Sequence, residues 1–227
     1  MTKLNQLHQP IKKKEIELSP GGLIVLVSFS VCFIILLLIT ILVVVNHNTS
    51  FDKFIFSKLQ DMTSLSLTKL LLFITFFGTF NFLLPAYLVL IIYYLFKRKK
   101  FLYLPILFIG LSSTAALYSL KYLFKRPRPL DPLLHSVNGF SFPSGHSFSG
   151  FTFFGVLIYI VWQSKIKKIW KWILSVLLFI FAFSIGLSRI YLHVHFASDV
   201  LAGFCLSVIW LTISFWILQA VNKNRNG

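Results

Sequence analysis

His195 and Asp199, four positions apart, are the residues of this 227-residue chain best spaced for chemistry. On a helix turning about 100° per residue, such a pair lies within about 40° of one face, so the carboxylate can hold one imidazole nitrogen. That contact fixes the tautomer, leaves the other nitrogen free as a nucleophile and stabilises the cation that develops. His193 falls about 120° off the face of Asp199 and is the weaker candidate. Lys121, Arg128 and Arg189 offer a point charge and two planar forks, the fork matching phosphate oxygens. Pro143-Ser144-Gly145-His146 opens an apolar run. There Ser144 suits an N-cap, Gly145 allows close backbone approach, and the first N–H groups of a helix favour an anion. His146 brings a second imidazole to the same place, suited to protonating a leaving alkoxide. Together these are the parts of phosphoryl transfer through a phosphohistidine: cradle, nucleophile, orienter and acid.

Each fragment also has an ordinary reading. A basic run beside a membrane span usually meets solvent or lipid headgroups, and a lone histidine at a helix start is more often structural. Asp199 resists such a reading. A charge entering a span costs about 2.5–3.5 kcal/mol on insertion scales, so it needs a partner. Zinc is the competing chemistry, with His146, His193, His195 and Asp199 as imagined ligands. Only Asp52, Asp61, Asp131 and Asp199 share that side of the membrane, too few for a bridged two-metal site. Three cationic side chains would also repel a divalent ion, so no metal and no cofactor is expected. Cys32 and Cys205 both fall in predicted spans, read as small apolar residues, and receive no function.

The elements that must position these residues are membrane helices. The chain is 57% hydrophobic and only 12% charged, with 26 Phe against 6 acidic residues, a balance that a water-soluble domain of this size has no room to bury. Leu23–Val45 is an uncharged run long enough to cross ~30 Å of hydrocarbon, and longer than the ~7–15 residues of a signal-peptide core, so it reads as a retained first span. Further runs cover Leu70–Phe96, Phe101–Leu120, Phe148–Gln163, Trp172–Ser188 and Phe196–Val221, making six. Gly78, Asn81 and Pro85 interrupt the second, where a kink is expected rather than an end. Phe51, Phe54, Ile55, Leu59 and Met62 recur at helical spacing opposite Asp52, Lys53, Ser57, Lys58 and Asp61, which suits a short amphipathic helix on the membrane surface. The fold class expected is an all-α, six-span bundle with both termini on one side. The formal charge of +16 then divides unevenly, because 14 of the 22 Lys and Arg fall on the side of the termini. The positive-inside rule makes that side cytoplasmic and excludes a nucleic-acid footprint as the meaning of the charge. The residues with chemistry all meet at the opposite, outer face.

In their order and spacing these residues resemble the type-2 phosphatidic acid phosphatase superfamily, or lipid phosphate phosphatases, which shares its site with vanadium haloperoxidases. The family pattern K-x6-R-P, P-S-G-H and S-R-x5-H-x3-D is filled by Lys121 to Arg128-Pro129, Pro143-Ser144-Gly145-His146 and Ser188-Arg189 to His195 and Asp199. The resemblance implies that His195 is the nucleophile, Asp199 its orienter and His146 the general acid. Lys121, Arg128, Ser144, Gly145 and Arg189 would bind phosphate, and no divalent metal would be used. Lys125, Arg126 and His193 receive no role, beyond a guess that Lys125 and Arg126 meet a second phosphate. The expected organisation is a cytoplasmic segment over residues 1–22, a six-span phosphatase domain over 23–221 with its site within 121–199, and a cytoplasmic tail over 222–227. The expected activity is hydrolysis of a lipid phosphomonoester such as phosphatidic acid or phosphatidylglycerol phosphate at the outer face of a bacterial plasma membrane. The partners are membrane lipids and that substrate, with no nucleic acid. Undecaprenyl diphosphate is the rival substrate. An anion or lipid transporter is the rival of a different kind, disfavoured because the charges lie at span ends and no repeat is seen.

Overall fold

The computed structural model describes residues 20–59, 62–130, 132–133 and 138–225. Asp61, Asp131 and the basic N-terminal residues therefore lie outside the described residues. The described residues are helical, with no strand among them. α1 (Pro20–Ile39) continues through a π-helical turn over Thr40–Val45. α2 (Ser50–Leu59), α3 (Leu65–Phe76), α4 (Phe80–Phe96), α5 (Lys100–Phe124), α6 (Gly145–Gln163), α7 (Lys168–Tyr191) and α8 (Ala197–Arg225) follow. Five of these elements, Gly21–Val45, Lys100–Phe124, Gly145–Gln163, Lys168–Tyr191 and Ala197–Ala220, are long and apolar enough to cross a membrane. The α3–α4 pair makes the sixth when counted as one span bent by 40°. The all-α, polytopic architecture is therefore the expected one.

The bend falls at Phe77–Thr79, and α4 runs on through Pro85 without a break. Thr79 explains the restart, since its side chain accepts from the N–H of Phe82 and caps α4. Gly78 is required there by packing. A Cβ on it would stand 2.6 Å from Ile185 and 3.1 Å from the ring of His146.

α6 is the central helix, packed against both α7 and α8, while α1 lies along α8 and presents most of its apolar surface outward. Phe77, Phe82, Phe153, Phe154 and Phe181 interlock edge to face between the α3–α4 bend, α4, α6 and α7, the arrangement that aromatic quadrupoles favour. The exposed Leu, Ile, Val and Phe of α1, α4 and α7 have no protein neighbour to cover them, as suits helices bathed in lipid.

α2 is the expected short amphipathic helix, but with a different inward face. Phe51 and Phe54 are half exposed, whereas Asp52, expected on the solvent side, is 1% exposed. Ile55, Phe56 and Leu59 pack on Ile190, Ala197 and Val200. Positions 52, 55, 56 and 59 recur at helical spacing just as 51, 54, 55 and 59 do. What selects between the two faces is an ion partner for Asp52 far along the chain, described below.

Candidate active site

Four helix ends and two connecting segments converge at one end of the bundle. Lys121 lies in the last turn of α5. Lys125 then adopts a left-handed conformation (φ 47°) and turns the chain into the segment carrying Arg126 and Arg128. Ser144 caps α6, so Gly145 and His146 occupy its first turn. Arg189 is in the last turn of α7, His195 in the short connection to α8, and Asp199 in the first turn of α8. Two contacts clamp these ends. The N–H of Ser144 donates to the carbonyl of Asp199 at 3.0 Å. Gly203 also lets α8 approach the same turn, since a Cβ there would lie 2.9 Å from the Ser144 carbonyl.

His195 is 2% exposed and held at both nitrogens. Nε2 lies 3.1 Å from Arg128 Nη1. A guanidinium only donates, so Nε2 carries the lone pair and the proton is on Nδ1. Nδ1 faces Ser141 Oγ at 3.3 Å and Asp199 Oδ2 at 3.6 Å. The Ser141 hydroxyl in turn donates to Asp199 Oδ2 at 2.5 Å, so the carboxylate reaches the imidazole largely through this serine. Burial pushes His195 down to about 4, with Asp199 pulling the other way and Arg128 and Lys121 adding to the depression. The imidazole is thus neutral at neutral pH. Burial also lowers Arg128 from its ordinary value, against the pull of Asp199.

The cations surround one space. Arg128 is oriented by the carbonyls of Gly139 (3.0 Å), Val194 (2.8 Å) and Asn138 (3.3 Å). Lys121 Nζ donates to the Phe140 carbonyl at 2.6 Å. Arg189, buried, donates from Nη1 to Thr75 Oγ1 at 2.8 Å, and its Nε has no acceptor among the described residues. Lys121, Arg128, Gly145, His146, Arg189 and His195 line one end of a cavity of about 590 Å³. From there the cavity runs between α4 and α5 along an apolar wall that includes Leu83, Tyr87, Leu107 and Leu111. Between Lys121 and Ile106, α5 alone provides about 22 Å of depth. The volume is that of a small-molecule site, and the lining is that of an anion joined to a long apolar group.

Of the residues singled out from the sequence, six therefore face this cavity together. Asp199 lies behind His195, fully buried. Ser144 is also buried, with its Oγ accepting from the N–H and hydroxyl of Ser147 and its own N–H given to Asp199. It builds the turn, while Gly145 and His146 present it to the cavity. His193 turns away onto the ring of Phe56 at 5.0 Å, and among the described residues no group of His, Cys, Asp or Glu is arranged to hold a metal ion.

Four further residues belong to the site: Ser141 and Ser198 stand at no motif position, and Arg126 and Asp52 take roles other than those expected. Arg126, guessed to meet a second phosphate, instead gives Nη1 to Asp199 and Nη2 to Asp52. Ser198 and Ser141 complete the group around the two carboxylates. A charged residue of α2 sharing a helical face with Ile55, Phe56 and Leu59 was the available signal for Asp52.

The PAP2 superfamily model matches residues 102–223. The chain is 36% identical over 142 residues to phosphatidylglycerophosphatase B of Bacillus subtilis, covering 60% of this chain and 68% of that protein. It is 30% identical over 112 residues to the dolichyldiphosphatase of Saccharomyces cerevisiae, 46% of each chain. Among solved structures it resembles a transmembrane PAP2-type phosphatidylglycerolphosphate phosphatase from Bacillus subtilis, with a TM-score of 0.75 and 28% identity over 87% of this chain and 96% of that one. It also resembles Aquifex aeolicus LpxE, with a TM-score of 0.55 and 29% identity over 71% and 93% respectively.

Proposed function

The chain belongs to the PAP2 superfamily, and from that premise we propose that it removes phosphate from a lipid phosphomonoester, of the phosphatidylglycerol phosphate or phosphatidic acid kind, through a phosphohistidine on His195. That it is a multi-pass membrane protein and a phosphoric ester hydrolase is common ground with its relatives. The observation that carries the finer reading is the continuity of the cavity. Three cations and two imidazoles stand at one end, and an apolar channel between two membrane helices leads away from them.

Phosphate-monoester hydrolysis is among the slowest uncatalysed reactions, so the site must stabilise charge strongly. Lys121, Arg128 and Arg189 hold the three non-bridging oxygens. Arg128 moves its Nη1 donation from His195 to the phosphate, freeing the Nε2 lone pair. Nε2 attacks phosphorus in line, the P–O bond to the lipid breaks, and His146 gives its proton to the departing oxygen. The cationic phosphoimidazole is balanced by Asp199 through Nδ1–H and Ser141. Water, deprotonated by the now neutral His146, then attacks phosphorus and returns the electron pair to Nε2.

The yeast relative's name raises a diphosphate substrate as a second reading. Against it, both terminal nitrogens of Arg126 are committed to carboxylates, and Lys125 and Arg126 border a separate cavity of about 180 Å³. One phosphate therefore has all the cations of the main cavity. The test is phosphate release from phosphatidylglycerol phosphate, phosphatidate and undecaprenyl diphosphate, in detergent with chelator, by wild type and His195→Ala. Release from a monophosphate, abolished in the variant, is expected. Equal release by both proteins overturns the phosphohistidine, and preference for the diphosphate overturns the substrate class.

A further inference from the structure

Asp199 is gripped on both oxygens. Oδ2 takes the Ser141 hydroxyl and the N–H of Phe196 at 3.0 Å, and Oδ1 takes Arg126 Nη1 at 2.5 Å. The same guanidinium donates from Nη2 to Asp52 Oδ2 at 2.7 Å and lies under the ring of Phe196, 4.2 Å from its centroid. Asp52 is fastened in turn to the start of α8, accepting the Ser198 N–H at 2.9 Å and the Ser198 hydroxyl at 2.7 Å. Arg126 is 8% exposed, and Asp52 and Ser198 are more deeply buried. One guanidinium thus stands between two buried carboxylates and is the cation paired with both. Arg126 does not line the main cavity, and Asp52 lies on α2, outside the stretch matched by the family model.

We propose that Arg126 and Asp52 are positioning residues for the reaction: Asp52, carried by the short helix α2, holds the guanidinium whose planar fork sets the plane of the Asp199 carboxylate against His195. The argument rests on the phosphohistidine reading above. A lysine offers a point charge and cannot span the two carboxylates as a fork does. Because Asp52 touches neither His195 nor the cavity, its influence must pass through Arg126 and the first turn of α8. Asp52→Asn keeps an acceptor for the Ser198 N–H and removes the charge that faces Arg126, so its effect should appear only while Arg126 is present. In effect, a helix on the membrane surface becomes part of the catalytic apparatus.

The experiment is a double-mutant cycle on the full chain in detergent, with phosphatidylglycerol phosphate as substrate and Asp52→Asn, Arg126→Gln and the double variant. Arg126→Gln is expected to lower kcat about a hundredfold and Asp52→Asn about tenfold, with KM within about threefold in each. In the Arg126→Gln background, Asp52→Asn should cost less than about twofold more. The inhibition constant for inorganic phosphate should stay within about threefold throughout, since no cavity cation is touched. Losses that multiply, a kcat unchanged in Asp52→Asn, or losses residing in KM overturn the proposal. If Arg126→Gln does not fold, Arg126→Lys carries the same cycle, and wild-type kcat in that variant is equally fatal. Failure of the phosphohistidine reading appears separately, as activity surviving in His195→Ala.

Discussion

Arg128 Nη1 stands 3.1 Å from His195 Nε2, so the guanidinium proposed to bind phosphate occupies the lone pair of the proposed nucleophile. The arrangement keeps the imidazole neutral and aimed into the cavity. It also makes the pH behaviour of His195 a direct probe of the site.

Burial, with Arg128 and Lys121 nearby, holds His195 at about 4 although Asp199 opposes the shift. An unfolded histidine titrates near 6.5, so between about 6.5 and 4 the unfolded chain binds a proton that the folded chain does not. Stability from the neutral imidazole is therefore complete above about 6.5 and is lost as the pH falls through that window, by up to roughly 3 kcal/mol. Thermal melts in detergent between pH 7 and 4.5 should show a steeper acid decline in wild type than in His195→Gln. Parallel curves would mean that the imidazole is not held neutral. For the same reason, the acid limb of kcat/KM should show no ionisation of His195 near its ordinary value.

The apolar channel predicts a length-dependent defect. Gly110 faces the ring of Tyr87, and a Cβ there would already touch it at 3.4 Å. Gly110→Leu would narrow the channel part-way along. We expect kcat/KM for a long-chain phosphatidate to fall about tenfold or more while a short-chain analogue is hydrolysed nearly as before. Equal losses on both would place the tail elsewhere.

The site end of α5, α6, α7 and α8 lies opposite the loops Lys97–Lys100 and Lys165–Lys171. By the positive-inside rule that end is expected to face outward. Leu130, 94% exposed beside the site, reports on this. In intact cells, Leu130→Cys should react with a membrane-impermeant maleimide without permeabilisation. Reaction only after permeabilisation would reverse the orientation.

How much of this was readable in advance follows from the distance over which each partner is chosen. His195 and Asp199 lie one helical turn apart, so their pairing is local and periodicity reveals it. The six apolar runs are equally local, since a membrane span is set by length and hydropathy alone. The sequence alone implies a kink between α3 and α4, but its position depends on His146 and Ile185 crowding Gly78 from other helices. Asp52 was misplaced because its partner, Arg126, is 74 residues away. Ser141 had no periodic or charged neighbour to mark it, and only the folded chain brings its hydroxyl between His195 and Asp199.

His146, in the first turn of α6 and lining the cavity beside His195, is assigned to protonating the leaving oxygen, and leaving-group chemistry isolates that role. A lipid alkoxide departs poorly without a proton, whereas p-nitrophenolate departs without help. His146→Ala should therefore lower the rate on phosphatidate by about a hundredfold or more, yet leave the rate of histidine phosphorylation by p-nitrophenyl phosphate within about tenfold of wild type. In the second step the variant lacks its base, so the phosphoenzyme should accumulate, visible as a burst of p-nitrophenol about equal to the enzyme present. Comparable losses on both substrates with no burst would assign His146 to holding the phosphate or the fold. A burst would separate acid–base work from binding, because the cradle of Lys121, Arg128 and Arg189 is the same in both proteins.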